Sequence, residues 1–107
     1  MAFSKTRFEE LIRELASKFL SIESNRTSLI TVTRVESDPK GSVANIYFTV
    51  FPDTQQTAAL DFVKRQRSEF RSFLKDNARL MRIPHVDFHI DAGERSRQKI
   101  DGLMGGL

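Results

Sequence analysis

Between residues 5 and 20, apolar positions recur at steps of three and four: Phe8, Leu11, Ile12, Leu15, Ala16, Phe19 and Leu20. Lys5, Arg7, Glu10, Arg13, Glu14 and Lys18 lie mostly on the other side. That period predicts an amphipathic helix. Ser4 suits its N-cap, and Phe3 with Phe8 would occupy the two positions of a hydrophobic staple. A polar stretch, 22–28, reads as a loop. The period then changes to two. Leu29–Glu36 and Val43–Phe51 are rich in β-branched residues and predict strands. In the second, Ala44, Ile46, Phe48 and Val50 alternate with Asn45, Tyr47 and Thr49, which marks a half-buried strand. In the first, Val32 and Val35 are out of phase, and a bulge or twist near Thr33 and Arg34 resolves the conflict. Asp38-Pro39-Lys40-Gly41 has turn chemistry, so the two strands form a hairpin.

Pro52 ends the second strand, and Asp53 with Gln56 predicts a capping box. Helical character then runs to about Arg79, with Leu60, Val63, Phe70, Phe73, Leu74 and Ala78 on the apolar face. Gln66 and Arg67 stand where that face needs an apolar contact. The helix is either continuous with a polar notch or broken around Gln66 to Ser68, and the pattern favours a break or kink, with Ser68 capping the second segment. Ile83-Pro84 closes the helical region. Val86, Phe88 and Ile90 alternate with Asp87, His89 and Asp91, predicting a third strand over Val86–Asp91. Glu94–Met104 reads as a short terminal helix, frayed by Gly102, Gly105 and Gly106. The expected fold is α+β, in the order helix-strand-strand-helix-helix-strand. A three-stranded sheet is covered by helices on one face, and its other face meets water. Residues 1–93 form the domain and residues 94–107 a tail.

With 107 residues, the chain makes one domain with one modest core. Net charge is only +3 and the isoelectric point about 9.6. The distribution says more than the total. Residues 64–82 hold seven Lys or Arg against two acids, Glu69 and Asp76, so this stretch is more positive than the whole chain. A cationic face on an amphipathic helix points to a polyanionic partner. There is no cysteine, which excludes a disulfide and thiolate chemistry and agrees with a reducing cytoplasm. Met1 to Ser21 has no apolar core of a signal peptide, and no window is apolar enough to span a membrane.

Catalysis finds no support in the motifs. His85 and His89 are four apart, a metal-pair spacing on a helix, but on a strand they would lie about 13 Å apart. No zinc motif, phosphate loop, dinucleotide fingerprint or paired nucleophile and base is present. No cofactor or metal is expected.

The ordered set of motifs resembles the ribosome-binding factor A family. The pieces are Thr31-Val32-Thr33-Arg34-Val35, Asp38-Pro39-Lys40-Gly41, Ala44 with Ile46 to Val50, Phe70-Arg71, Leu74, Leu80, Arg82-Ile83-Pro84, Phe88, Asp91, Glu94, Ile100 and Leu103. They run from about Thr6 to Leu103. The resemblance implies a type II KH-like, RNA-binding domain without catalytic activity. It implies a cytoplasmic factor that binds the immature small (30S) ribosomal subunit, assists maturation of the 5′ region of 16S rRNA, and matters most in the cold. Its partners would be 16S rRNA and neighbouring ribosomal proteins, with no membrane, and it would act as a monomer. In that family an Ala-x-Gly kink separates the two later helices. Here the kink falls on Gln66-Arg67-Ser68, with neither Ala nor Gly.

The expected RNA contacts are Lys64, Arg65, Arg67, Arg71, Lys75, Arg79 and Arg82, with Arg71, Lys75 and Arg79 spaced by four on one helical face. Such contacts grip phosphates and read little sequence. The bland alternative is a solvated helix face, with Lys75 paired to a nearby acid and Arg82 structural. Arg34, Lys40, Arg95, Arg97 and Lys99 are secondary candidates, and Lys5, Arg7 and Arg13, among acids on the first helix, are secondary candidates at best. Tyr47, on the open sheet face, either stacks on a base or packs on a β-branched neighbour. Two other readings remain: an adaptor for an acidic protein, or a general single-stranded RNA binder.

Overall fold

The computed structural model describes residues 4–23 and 28–93. Helix α1 spans Lys5–Glu23, strands β1 and β2 span Leu29–Ser37 and Val43–Phe51, helices α2 and α3 span Gln56–Arg65 and Arg67–Asn77, and β3 spans His85–Ile90. β1 pairs antiparallel with β2, and β2 pairs parallel with β3, giving a mixed sheet in the order β1-β2-β3. This α+β order and mixed sheet make a KH-like arrangement.

Period-two alternation is what places the sheet. Ala44, Ile46, Phe48 and Val50 of β2 are buried, as are Val86 and Phe88 of β3. The register of β1 against β2 shifts between Val32 and Arg34, so Val32 and Val35 both reach the core. That bulge turns Arg34 onto the open face, opposite Tyr47. In the hairpin turn, Gly41 has φ 69°, a conformation a side chain resists. Asp38 accepts from the Ser42 and Val43 N–H groups at 2.6 and 2.9 Å and from the Ser42 hydroxyl. The Ser42 hydroxyl, then the Val43 N–H, hold the Asp38 carboxyl below its ordinary value of 3.8.

Helices cover the other face. Phe70 of α3 has no exposed surface, and its ring centroid lies 5.3 Å from Phe19 of α1 and 5.9 Å from Phe88 of β3. Ser4 begins α1 as expected, its hydroxyl accepting from the Arg7 N–H at 3.4 Å. Phe3 and the tail from Glu94 onward lie outside the described residues.

Several boundaries depart from the periodicity. α1 continues through Glu23 into the polar stretch. The capping box does not form: Asp53–Gln55 makes a 3-10 turn without a side-chain cap, and α2 starts after it. Ser68 caps nothing, because the break sits at Gln66 and α3 already includes Arg67. The third strand starts one residue earlier than expected, at His85, and Asp91 follows it, still donating its N–H to the Phe48 carbonyl at 2.7 Å. α3 stops at Asn77 rather than near Arg79, with Ala78 extended at φ −139°, ψ 148°. The link must turn back here to enter β3 parallel to β2, and Leu80 and Ile83 hold it by packing against the core.

Candidate nucleic-acid interface

The α2–α3 junction builds the first part of the site. Gln66 takes φ −90°, ψ 6°, which any L-residue can adopt, and its N–H is shared between the Phe62 and Val63 carbonyls at 3.2 and 3.0 Å. Arg67 folds back so that its Nε donates to the Lys64 carbonyl at 3.0 Å, satisfying a helix-end acceptor. Its guanidinium then meets Asp87 Oδ1 at 3.3 Å, and Lys64 Nζ meets the same oxygen at 3.4 Å. Burial pushes the Asp87 carboxyl up, but the Phe88 N–H, the Lys64 ammonium and His89 together hold it below its ordinary value of 3.8. Two cations share one carboxylate, so the cluster keeps positive charge in excess.

Further along α3, Arg71 is tied to the backbone entering β3. Its Nε donates to the Pro84 carbonyl at 3.1 Å and a terminal nitrogen to the Ile83 carbonyl at 3.4 Å. The structural role considered for Arg82 thus falls to Arg71. Ser68, Arg71, Ser72, Lys75 and Ile83 line a shallow depression of about 330 Å³. Arg65 and Lys75 are exposed and make no ion pair among the described residues. At about 100° per residue, Glu69 and Asp76 fall roughly 140–160° around the helix from Arg71. The acids on α3 therefore do not cancel the cations on its Arg71 face.

Arg79 and Arg82 go elsewhere. Because α3 ends at Asn77, Arg79 does not continue the stripe of Arg71 and Lys75. Both arginines line a groove beside the start of α1 and the hairpin turn, where they meet Lys40 and Arg7. Arg7, only a secondary candidate in the sequence because of the acids around it, is thus brought to this group. The signal available was Leu80-Met81, an apolar pair held between two arginines.

On the open sheet face, register sets Arg34, Tyr47 and His89 in one row across the three strands. The Arg34 guanidinium lies 3.8 Å above the Tyr47 ring, and the Tyr47 and His89 rings are 5.1 Å apart. Arg34 also pairs with Glu36, and its Nε lies 3.7 Å from Asp91. His89 Nε2 is 2.9 Å from Asn45 Oδ1. Tyr47 therefore packs on a guanidinium and an imidazole, and Arg34 is engaged within the sheet. Asp87, His89 and Asp91 gather no metal site: among the described residues no three His, Cys, Asp or Glu could hold an ion. No described helix is long and apolar enough to cross a membrane. Arg95, Arg97 and Lys99 lie outside the described residues.

The family model described as "Ribosome-binding factor A" matches residues 4–104. The chain belongs to the ribosome-binding factor A family. Members of this family are non-enzymatic factors. A relative of that name from Kosmotoga olearia is 22% identical over 96% of this chain and 83% of its own length. Another from Magnetococcus marinus is 27% identical over 73% of this chain, and the match spans 63% of that relative, under two thirds of it. Among solved structures, ribosome-binding factor A from Thermus thermophilus superposes with a TM-score of 0.74 at 21% identity, covering 82% of this chain and 97% of the other, a likeness of fold. A Thermotoga maritima protein proposed to be a ribosome binding factor A gives a TM-score of 0.69 at 25% identity, covering 87% and 92%.

Proposed function

We propose that this protein is a ribosome biogenesis factor that binds the immature 30S subunit. It would contact 16S rRNA and neighbouring ribosomal proteins as a cytoplasmic monomer. Its task would be to assist maturation of the 5′ region of 16S rRNA, with its greatest importance in the cold. Family membership supports the partner class. The observation that carries the contact surface is the α2–α3 ridge. Lys64, Arg65, Arg67, Arg71 and Lys75 follow one another along it, and Asp87 alone, among the described acids, pairs with any of them. Cations in such a row would bind the sugar-phosphate backbone, and RNA shape rather than base sequence would supply selectivity.

Co-sedimentation with immature small subunits tests this. The native protein is expected to pellet with subunits and to be released by high salt. Lys64→Glu combined with Lys75→Glu should weaken association about tenfold and flatten the slope of log K against log salt by roughly 0.7–0.9 for each phosphate no longer neutralised. Unchanged pelleting of the double variant would remove this ridge from the interface. Association that survives RNase digestion would instead favour an adaptor for an acidic protein.

A further inference from the structure

Where α1 begins, the hairpin turns and the chain links α3 to β3, three separate segments enclose a groove of about 540 Å³. That volume lies within the about 300–1,000 Å³ typical of small-molecule sites. Arg7, Lys40, Arg79 and Arg82 line it, and no carboxylate does among the described residues. Between the cations lies apolar surface from Phe8, Leu11, Leu80 and Met81. Met81 is fully exposed, and the side chains of the four cations make no ion pair among the described residues. None of these residues lines the depression beside Lys75.

We infer that this groove is a second RNA-binding site, taking one unpaired nucleotide of an RNA strand. The base would lie on the apolar floor and its flanking phosphates would be held by Arg7, Lys40, Arg79 and Arg82. The inference rests on the reading that the partner is RNA, and it adds a site that reads unpaired bases. Charge complementarity favours a polyanion. Cations that converge from three segments around an apolar centre match a nucleotide, which joins a flat, weakly polar base to an anionic linkage on either side. Three of the four cations are arginine, whose planar fork grips phosphate through two bonds at once. Methionine is flexible and polarisable and makes favourable contacts with any aromatic ring, so the groove requires a base without choosing which.

The chain of 107 residues is titrated at one salt concentration with three labelled hexamers: oligo-A, oligo-U and an abasic ribose-phosphate strand. Oligo-A and oligo-U should bind alike, and the abasic strand about three- to tenfold more weakly. Met81→Ala leaves the buried core untouched. It should lower both ordinary hexamers towards the abasic level and leave the abasic strand unchanged. Arg79→Glu with Arg82→Glu should weaken all three about tenfold or more. In methyl NMR spectra, the Met81 and Leu80 signals should shift on adding oligo-U. Equal binding of the abasic strand overturns the inference, as does a Met81→Ala variant whose preference for ordinary hexamers is undiminished. Oligo-U that shifts only α3 signals removes the groove while leaving the α2–α3 ridge standing. Failure to associate with subunits, with base-dependent hexamer binding retained, would do the reverse. A glutamate-rich peptide carrying Leu and Phe that displaces oligo-U and binds more tightly would assign the groove to a protein partner instead.

Discussion

Arg71 and Lys75 sit one helical turn apart and carry the same charge, yet their surroundings separate them. Arg71 donates to two backbone carbonyls, at Pro84 and Ile83, and so fastens α3 to the entry of β3. Lys75 is exposed beside Ile83 and has no ion-pair partner among the described residues. Replacing Arg71 therefore changes folding and binding together, whereas replacing Lys75 changes only charge. Arg71→Ala should lower stability by about 1 kcal/mol, the usual worth of such bonds. Lys75→Ala should stay within about 0.5 kcal/mol. Urea denaturation reads both: the Arg71 variant should show an earlier midpoint at unchanged slope. A midpoint equal to that of the native chain would show that the guanidinium is ornamental to the fold.

At the scale of elements, the helix break is the informative feature. The resemblance implied an Ala-x-Gly kink over Gln66-Arg67-Ser68, but here Gln66 makes the break at φ −90°, where a glycine has no steric advantage. Arg67 then closes the junction by donating to the Lys64 carbonyl, and Ser68 stands in the first turn of α3. Ser68→Gly, which would supply the glycine that the resemblance led one to expect, should be harmful, since glycine costs backbone entropy in a helix. The expected loss is about 0.5 kcal/mol. In a domain of this size that lowers the melting temperature by about 2–4 °C. A rise in melting temperature would show that the junction is strained and gains from the freedom. Lys64 and Arg67 are both brought to Asp87 across the break.

For the whole molecule, one cluster of buried residues joins α1, α2, α3 and the inner sheet face among the described residues. Phe70 links α1 to β3 through its ring contacts, so neither layer retains a core without the other. Unfolding should therefore be a single cooperative step. The chain contains one tyrosine and no tryptophan, and Tyr47 lies on the open sheet face, packed against Arg34 and His89. Tyrosine fluorescence thus reports the sheet, while far-UV circular dichroism is dominated by the helices. The two urea transitions are expected to coincide. A fluorescence change at lower urea would show that the open face loosens before the core.

The amphipathic period of α1, the alternation in β2, the out-of-phase valines of β1 and the missing apolar contact near Gln66 were each readable along the chain, because burial on one side leaves a period in the sequence. The bulge and the helix break followed from these local conflicts, and the turn from the chemistry of Asp38-Pro39-Lys40-Gly41. The grouping of the cations did not. Arg71, Lys75 and Arg79 share a spacing, yet α3 ends at Asn77 and the chain turns towards a parallel strand, carrying Arg79 and Arg82 to Arg7 and Lys40. Asp87 likewise became the anchor of Lys64 and Arg67 only through folding. Periodicity records which side of an element is covered. It carries no information on which distant elements share a surface, and electrostatics depends on distance in space, so only the tertiary structure divided one basic run into a ridge and a groove.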